Sequence, residues 1–153
     1  SEQELKNKRP GSAALLLQSA RKSFFEQQSE LAIQLFNGLW LQPELSYPTR
    51  YRSEVALRLA FLYASKGDLE TANQVISSYR ERYSWTPSLW HLKLKVLATL
   101  GSWSQIQDLL RQTIPNFISA LEEYKQIEIV QIFKHSPVRL DIPVELQKLL
   151  MQD

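Results

Sequence analysis

The 153 residues contain no cysteine, only four glycines, one methionine and two histidines. Without cysteine there is no disulfide framework, no thiolate nucleophile and no sulfur ligand for zinc. So few glycines leave little for phosphate-cradling loops, and neither GxGxxG nor GxxxxGK[ST] occurs. His91 and His135 stand apart with no HExxH spacing, so no metal and no cofactor is expected. No apolar run approaches the roughly 18–20 residues that span a bilayer. The first ten residues hold no apolar core of a secretory signal, and a cytoplasmic protein is expected. A large excess of one charge is missing as well. Eighteen Lys and Arg meet 16 Asp and Glu, for a formal net charge of +2. Nucleic-acid surfaces concentrate positive charge to displace counterions from many phosphates. The nearest approach is Lys6, Lys8, Arg9, Arg21 and Lys22, which reads as a solvated arm. No catalytic constellation is found, and the expectation is a protein that is not an enzyme.

What is present is helical periodicity. Hydrophobic residues make up 44% of the chain and charged residues 22%, the mixture of an ordinary globular protein. The length suits one domain that buries roughly two-thirds of its unfolded surface. Residues 1–11 read as a flexible arm closed by Pro10-Gly11, and Ser12 caps a helix carrying Ala13, Leu16, Leu17 and Ala20. A second helix starts near Ser29 and stops before Pro43. After a connection over 42–50, a helix from about Tyr51 ends at Gly67, and Asp68 caps its partner through about Tyr83. Thr86-Pro87 opens a further pair that turns at Gly101. Pro115 opens a longer helix through Lys134, which completes a helical domain over 12–134. The remaining 135–153 read as an extended segment, with Val138, Leu140 and Ile142 in alternation, and a last helix after Pro143. The fold class is all-α.

Two of these helical hairpins repeat at a period of 34 residues, with Gly67 and Gly101 at equivalent turns. Ala56, Leu59, Ala60, Tyr63, Gly67, Leu69, Ala72 and Ile76 fill the pattern of one unit. Trp90, Lys93, Leu94, Leu97, Gly101, Trp103, Ile106 and Leu110 fill that of the next, with departures at Lys93 and Ile106. The pattern resembles the tetratricopeptide-repeat family, and a looser match continues back through Leu16, Ala20, Ala32 and Phe36. The resemblance implies antiparallel hairpins stacked as a short solenoid, with first helices lining a concave groove. Lining positions of that family fall here on Leu17, Arg21, Phe24, Leu57, Phe61, His91 and Lys95. Apolar anchors would supply affinity and the two cations register to an amphipathic helix or extended peptide with a few acidic residues. Leu57 and Phe61 stand where some relatives carry a carboxylate clamp, so none is implied here.

The compact size is similar to that of the cytosolic chaperones of type III secretion in this family. Val138-Arg139-Leu140-Asp141-Ile142-Pro143 is similar to the V-x-L-x-x-P segment with which translocators fill their chaperones. The plainer reading of that segment is a linker packed on the last hairpin. Trp90 and Trp103 are expected in the core, whereas Trp40 and Trp85, near helix ends, are interface candidates. The function expected is a protein–protein interaction module, a chaperone or assembly adaptor. The alternatives are a structural subunit of a large assembly and an RNA-binding helical repeat using the basic arm and Arg50, Arg52 and Arg58.

Overall fold

The computed structural model describes residues 10–43, 47–112 and 116–151. They form eight α-helices and a 3-10 turn, with no strand among the described residues. The chain divides into two compact units, Ser1–Arg82 and Tyr83–Asp153. That boundary falls inside the 12–134 span which the sequence assigns to one domain.

The first unit holds α1 (Pro10–Phe25), α2 (Ser29–Trp40), α3 (Thr49–Ser65) and α4 (Leu69–Arg82), each packed on the next. Helix α1 begins at Pro10, two residues before the expected cap Ser12, because a proline ring presets helical φ at a first turn that needs no N–H. Its apolar stripe, Ala13, Leu17 and Ala20, is buried, as are Phe36 and Leu39 of α2 and Val55, Leu59 and Ala60 of α3. Such side chains contribute about 1.5–3 kcal/mol each when large and fully buried. Most of the expected arm, residues 1–9, lies outside the described residues.

Three turns share one geometry. Gln27, Gly67 and Gly101 all adopt positive φ, at 60°, 92° and 73°. In each, the following N–H donates to the carbonyl five residues back: Gln28 to Ser23, Asp68 to Tyr63 and Ser102 to Leu97, each at 2.9 Å. This is the left-handed helix stop that satisfies an orphan carbonyl. The first turn therefore matches the others without glycine, at the conformational cost of a side chain in the left-handed region. Asp68 Oδ1 then accepts from Thr71 N–H at 3.3 Å, capping α4 as its sequence suggests.

The connection between α2 and α3 is pinned by Arg52. This residue is 4% exposed, and its Nη1 and Nη2 donate to the carbonyls of Trp40 (2.7 Å) and Gln42 (2.8 Å). The guanidinium also sits over the rings of Tyr47 (4.7 Å) and Trp40 (5.3 Å). A cation at a helix C-terminus satisfies carbonyls that have no partner within the helix and complements the dipole. Tyr47 adds a hydroxyl hydrogen bond to the Leu39 carbonyl at 2.7 Å.

The second unit holds α5 (Pro87–Leu100), α6 (Trp103–Leu110), a 3-10 turn (Ile118–Ala120), α7 (Glu123–Lys134) and α8 (Val144–Leu150). Thr86 Oγ1 accepts from Leu89 N–H at 3.2 Å and Pro87 follows at the first helical position, as expected. Helix α5 packs on both α6 and α7, and α7 on α8. The core is Trp90, Leu94, Leu97, Ile106, Leu110, Ile129 and Leu146. Ile106, which departs from the small residue of the repeat pattern, is fully buried, and Lys93 is half-buried.

The single helix expected from Pro115 to Lys134 is interrupted. Leu121 is extended (φ −85°, ψ 144°) and α7 starts only at Glu123. The short turn before it buries Phe117, Ile118 and Leu121. Pro115 itself lies outside the described residues. The 138–143 segment runs without regular structure beside α6. Gln107 clasps the main chain at Asp141, donating from Nε2 to its carbonyl (2.9 Å) and accepting its N–H at Oε1 (2.7 Å). Trp85 is 9% exposed with Nε1 donating to Gln112 Oε1 at 2.8 Å, so it packs within this unit and does not present an interface. Trp40 is half-buried beneath Arg52.

Candidate functional site

The seven expected lining residues divide between the units: Leu17, Arg21, Phe24, Leu57 and Phe61 in the first, His91 and Lys95 in the second. In the first unit, contacts ascend together along α1 and α3, so these helices run side by side in the same sense. Arg21 meets Tyr51 and Glu54, and Phe24 meets Arg58 and Phe61. The helical repeat of 3.6 residues places Arg21 and Phe24 on one face of α1, and Glu54, Arg58 and Phe61 on one face of α3.

At one end of this strip lies an aromatic patch. Phe24 stands 5.4 Å from Phe25, 5.9 Å from Phe61 and 6.3 Å from Phe36, ring centre to ring centre. Phe36 is buried and anchors the group, whereas Phe25 is 67% and Phe61 46% exposed. Arg58 lies over both Phe24 (4.6 Å) and Phe25 (4.9 Å), a stacking that holds the exposed rings without desolvating them. Leu57 is half-buried beside this strip.

In the middle, Arg21 makes a two-pronged bond to Glu54, Nε to Oε2 at 2.7 Å and Nη2 to Oε1 at 2.5 Å. Arg58 Nε reaches the same carboxylate at 3.2 Å. The Arg21 hydrogen bond, outweighing burial and helped by Arg58, holds the Glu54 carboxyl below its usual range. Arg21, expected as an open cation, is thus already paired.

At the other end is a small apolar cavity of about 60 Å³ lined by Ala14, Leu17, Leu39, Tyr47, Tyr51 and Val55 among others. Leu17 is only 4% exposed, because its side chain packs toward Leu39 and Val55 as the wall of that cavity. It contributes packing and not open surface.

The second unit builds a related cluster at α5 and α7. Lys95 Nζ donates to Glu128 Oε2 at 2.7 Å, and His91 Nε2 lies 3.1 Å from Glu128 Oε1. The spacing between cation and carboxylate is 33 residues, as between Arg21 and Glu54. Lys125 donates to Ser88 Oγ at 3.1 Å and pairs with Glu122 at 3.1 Å. Burial acts to raise the Glu128 carboxyl, but the Lys95 ammonium and His91 outweigh it and bring it below the usual range. His91 is 5% exposed, and burial drives its pKa down to about 4 despite the carboxylate. It is therefore neutral at pH 7. A neutral imidazole facing an ionised carboxylate must donate from Nε2, which fixes the tautomer. The face of α5 expected to line a groove at His91 is covered by α7.

No reading from sequence anticipated Glu128 as the partner of Lys95 and His91, since nothing local in the chain joins residues 33 or more apart, whereas Arg58 and Glu54 are a local i,i+4 pair. Among the described residues, no group of three or more His, Asp or Glu stands ready to hold a metal ion, and no helix is long and apolar enough to cross a membrane. Of the arginines named for RNA binding, Arg52 is buried on carbonyls and Arg58 is engaged by Glu54, leaving Arg50 exposed beside Tyr51. No family model matches the chain, and no curated protein or solved structure matches it.

Proposed function

We propose that this protein is a non-enzymatic protein–protein interaction module, an adaptor or chaperone that seats an apolar segment of a partner on the α1–α3 strip. The observation that carries the reading is the aromatic patch, where Phe25 and Phe61 remain exposed beside Phe24 and Arg58. Clustered exposed aromatics beside arginine are the composition of binding hot spots, because rigid rings bury large area at small entropic cost. The related ion pairs Arg21–Glu54 and Lys95–Glu128, and the common geometry of the three turns, favour a tetratricopeptide-like stacking of hairpins as the underlying scaffold. The narrower likeness to type III secretion chaperones rests on the sequence resemblance alone.

Selection of displayed random peptides on the intact protein tests this reading. Enriched peptides should lose binding to a Phe61→Glu variant whose helical circular dichroism equals wild type. Peptides that bind the variant undiminished, or no enrichment at all, would overturn it.

A further inference from the structure

The charge of this protein is unevenly placed. Helices α1 and α3 carry Arg21, Lys22, Arg50, Arg52 and Arg58 against the single carboxylate Glu54. Arg52 is turned inward, but the other four cations are wholly or partly exposed. The whole chain has a net charge of only +2, so the surplus is concentrated on these two helices. The contacts described engage Nε and Nη2 of Arg21, Nε of Arg58 and Nη2 of Arg50. Each guanidinium carries five N–H donors, so donors remain for an incoming anion.

The strip also has two apolar stations. The aromatic patch is broad and open. The cavity at Ala14 and Tyr51 is narrow: its volume is about 60 Å³, whereas roughly 150 Å³ admits a benzene ring. It therefore takes a branched aliphatic group and not an aromatic one. Tyr51 and Phe61 are ten residues apart on α3, about 15 Å at the helical rise. A helical ligand presents side chains on one face about eleven residues and 16 Å apart.

The geometry points to an acidic amphipathic helix of another protein as the occupant of this strip. One aliphatic side chain enters the cavity, carboxylates lie over Arg50, Arg21 and Arg58, and a larger apolar side chain covers Phe25 and Phe61. The inference rests on the interaction reading above and adds the partner's charge and anchor spacing. Charge complementarity selects the acidic ligand. The cavity selects a peptide, since neither a phosphate backbone nor a bilayer surface offers a single branched aliphatic group to fill it.

The test is a two-dimensional NMR titration of the isotope-labelled full chain with a synthetic helix of about 18 residues. The probe carries Leu and Phe eleven residues apart with two glutamates between them on the same face; a matched probe carries lysines instead. Expected are shifts at Ala14, Arg50, Tyr51 and Phe61, and binding at least about tenfold tighter for the acidic probe. Ala14→Leu, which plugs the cavity mouth, and Arg50→Glu should each weaken it about tenfold. Both positions are exposed, so both variants keep the fold. Equal affinity for the two probes, or no effect of Ala14→Leu, overturns the inference while shifts at Phe25 and Phe61 leave the interaction reading standing. If neither probe perturbs those rings, both fail. Tighter binding of a uridine oligonucleotide, or of phosphatidylserine vesicles, through the same residues also overturns it.

Discussion

The two units solve one electrostatic problem with different residues. In the first, an Arg–Glu–Arg triad lies beside exposed phenylalanines and remains charged at every physiological pH. In the second, the carboxylate of Glu128 is shared by Lys95 and by an imidazole held neutral under burial. Arginine stacks on rings and forks onto a carboxylate, so it can serve a surface and a partner at once. A buried neutral histidine serves packing, and makes the element that covers it sensitive to acid. The first cluster is suited to binding and the second to closing the fold.

The largest expected effect breaks the comparison on the side of the first unit. Arg52→Ala removes both donors to the Trp40 and Gln42 carbonyls and the stem beneath Tyr47. Losing two charge-assisted hydrogen bonds to part-buried carbonyls costs about 4 kcal/mol, read as a lower midpoint in urea. The clamp joins α2 to α3, so hydrogen exchange should accelerate first in these two helices.

The next effect belongs to the second unit. His91 has its pKa lowered to about 4, against about 6.5 in an unfolded chain. The unfolded state therefore binds the proton first. Stability from this site is complete above pH 6.5, falls as pH drops toward 4, and levels off below that. The loss amounts to about 3 kcal/mol. Lys95 and Lys125 oppose protonation and Glu128 favours it, with burial the dominant cause. Protection factors, corrected for the intrinsic pH dependence of exchange, should fall in α5 and α7 between pH 7 and pH 4.5 while those in α1 and α3 hold. Glu54, whose carboxyl lies below its usual range, begins to weaken the first unit only as pH falls below about 4.5. Equal acid sensitivity in both units would contradict the burial of His91.

A smaller effect separates the two ion pairs. Glu54→Gln should cost about 1 kcal/mol, after allowance for solvent around Arg21. It should also loosen Arg58 from Phe24 and Phe25, visible in their ring resonances. Glu128→Gln should cost a similar amount and lower the His91 pKa further, since the favourable carboxylate charge is gone. The smallest effects lie in the turns. Gln27→Gly should stabilise by about 0.5–1 kcal/mol, and Gly67→Ala should destabilise by about 1 kcal/mol. Neither a Cβ at Gly67 nor one at Gly101 meets a neighbour within 4 Å, so the latter cost is conformational. Thermal denaturation resolves both signs.

The helices were legible because their grammar is local. Thr86-Pro87, Asp68, Gly67 and Gly101 act on backbone groups within one turn, and the apolar spacing states which face is buried. The break at Leu121 was not legible, because helical spacing continues through it and only the packing of Phe117 and Ile118 interrupts it. The equivalence of Gln27 to the two turn glycines was also hidden, since a composition rule cannot see a left-handed glutamine.

Phe24, Phe61 and Arg21 were named from repeat positions, and they do lie together on one strip. Leu17 and His91 came from the same positions and are buried, which repeat position does not encode. By itself the sequence determined an all-α chain, the helix ends at the two turn glycines and the periodic stripes that must be covered. Only tertiary structure decided which cations find carboxylates 33 residues away, which histidine is sealed, and which rings stay in water. Helix signals act through neighbouring peptide groups, whereas charge pairing, burial and cavity shape depend on side chains far apart in the chain.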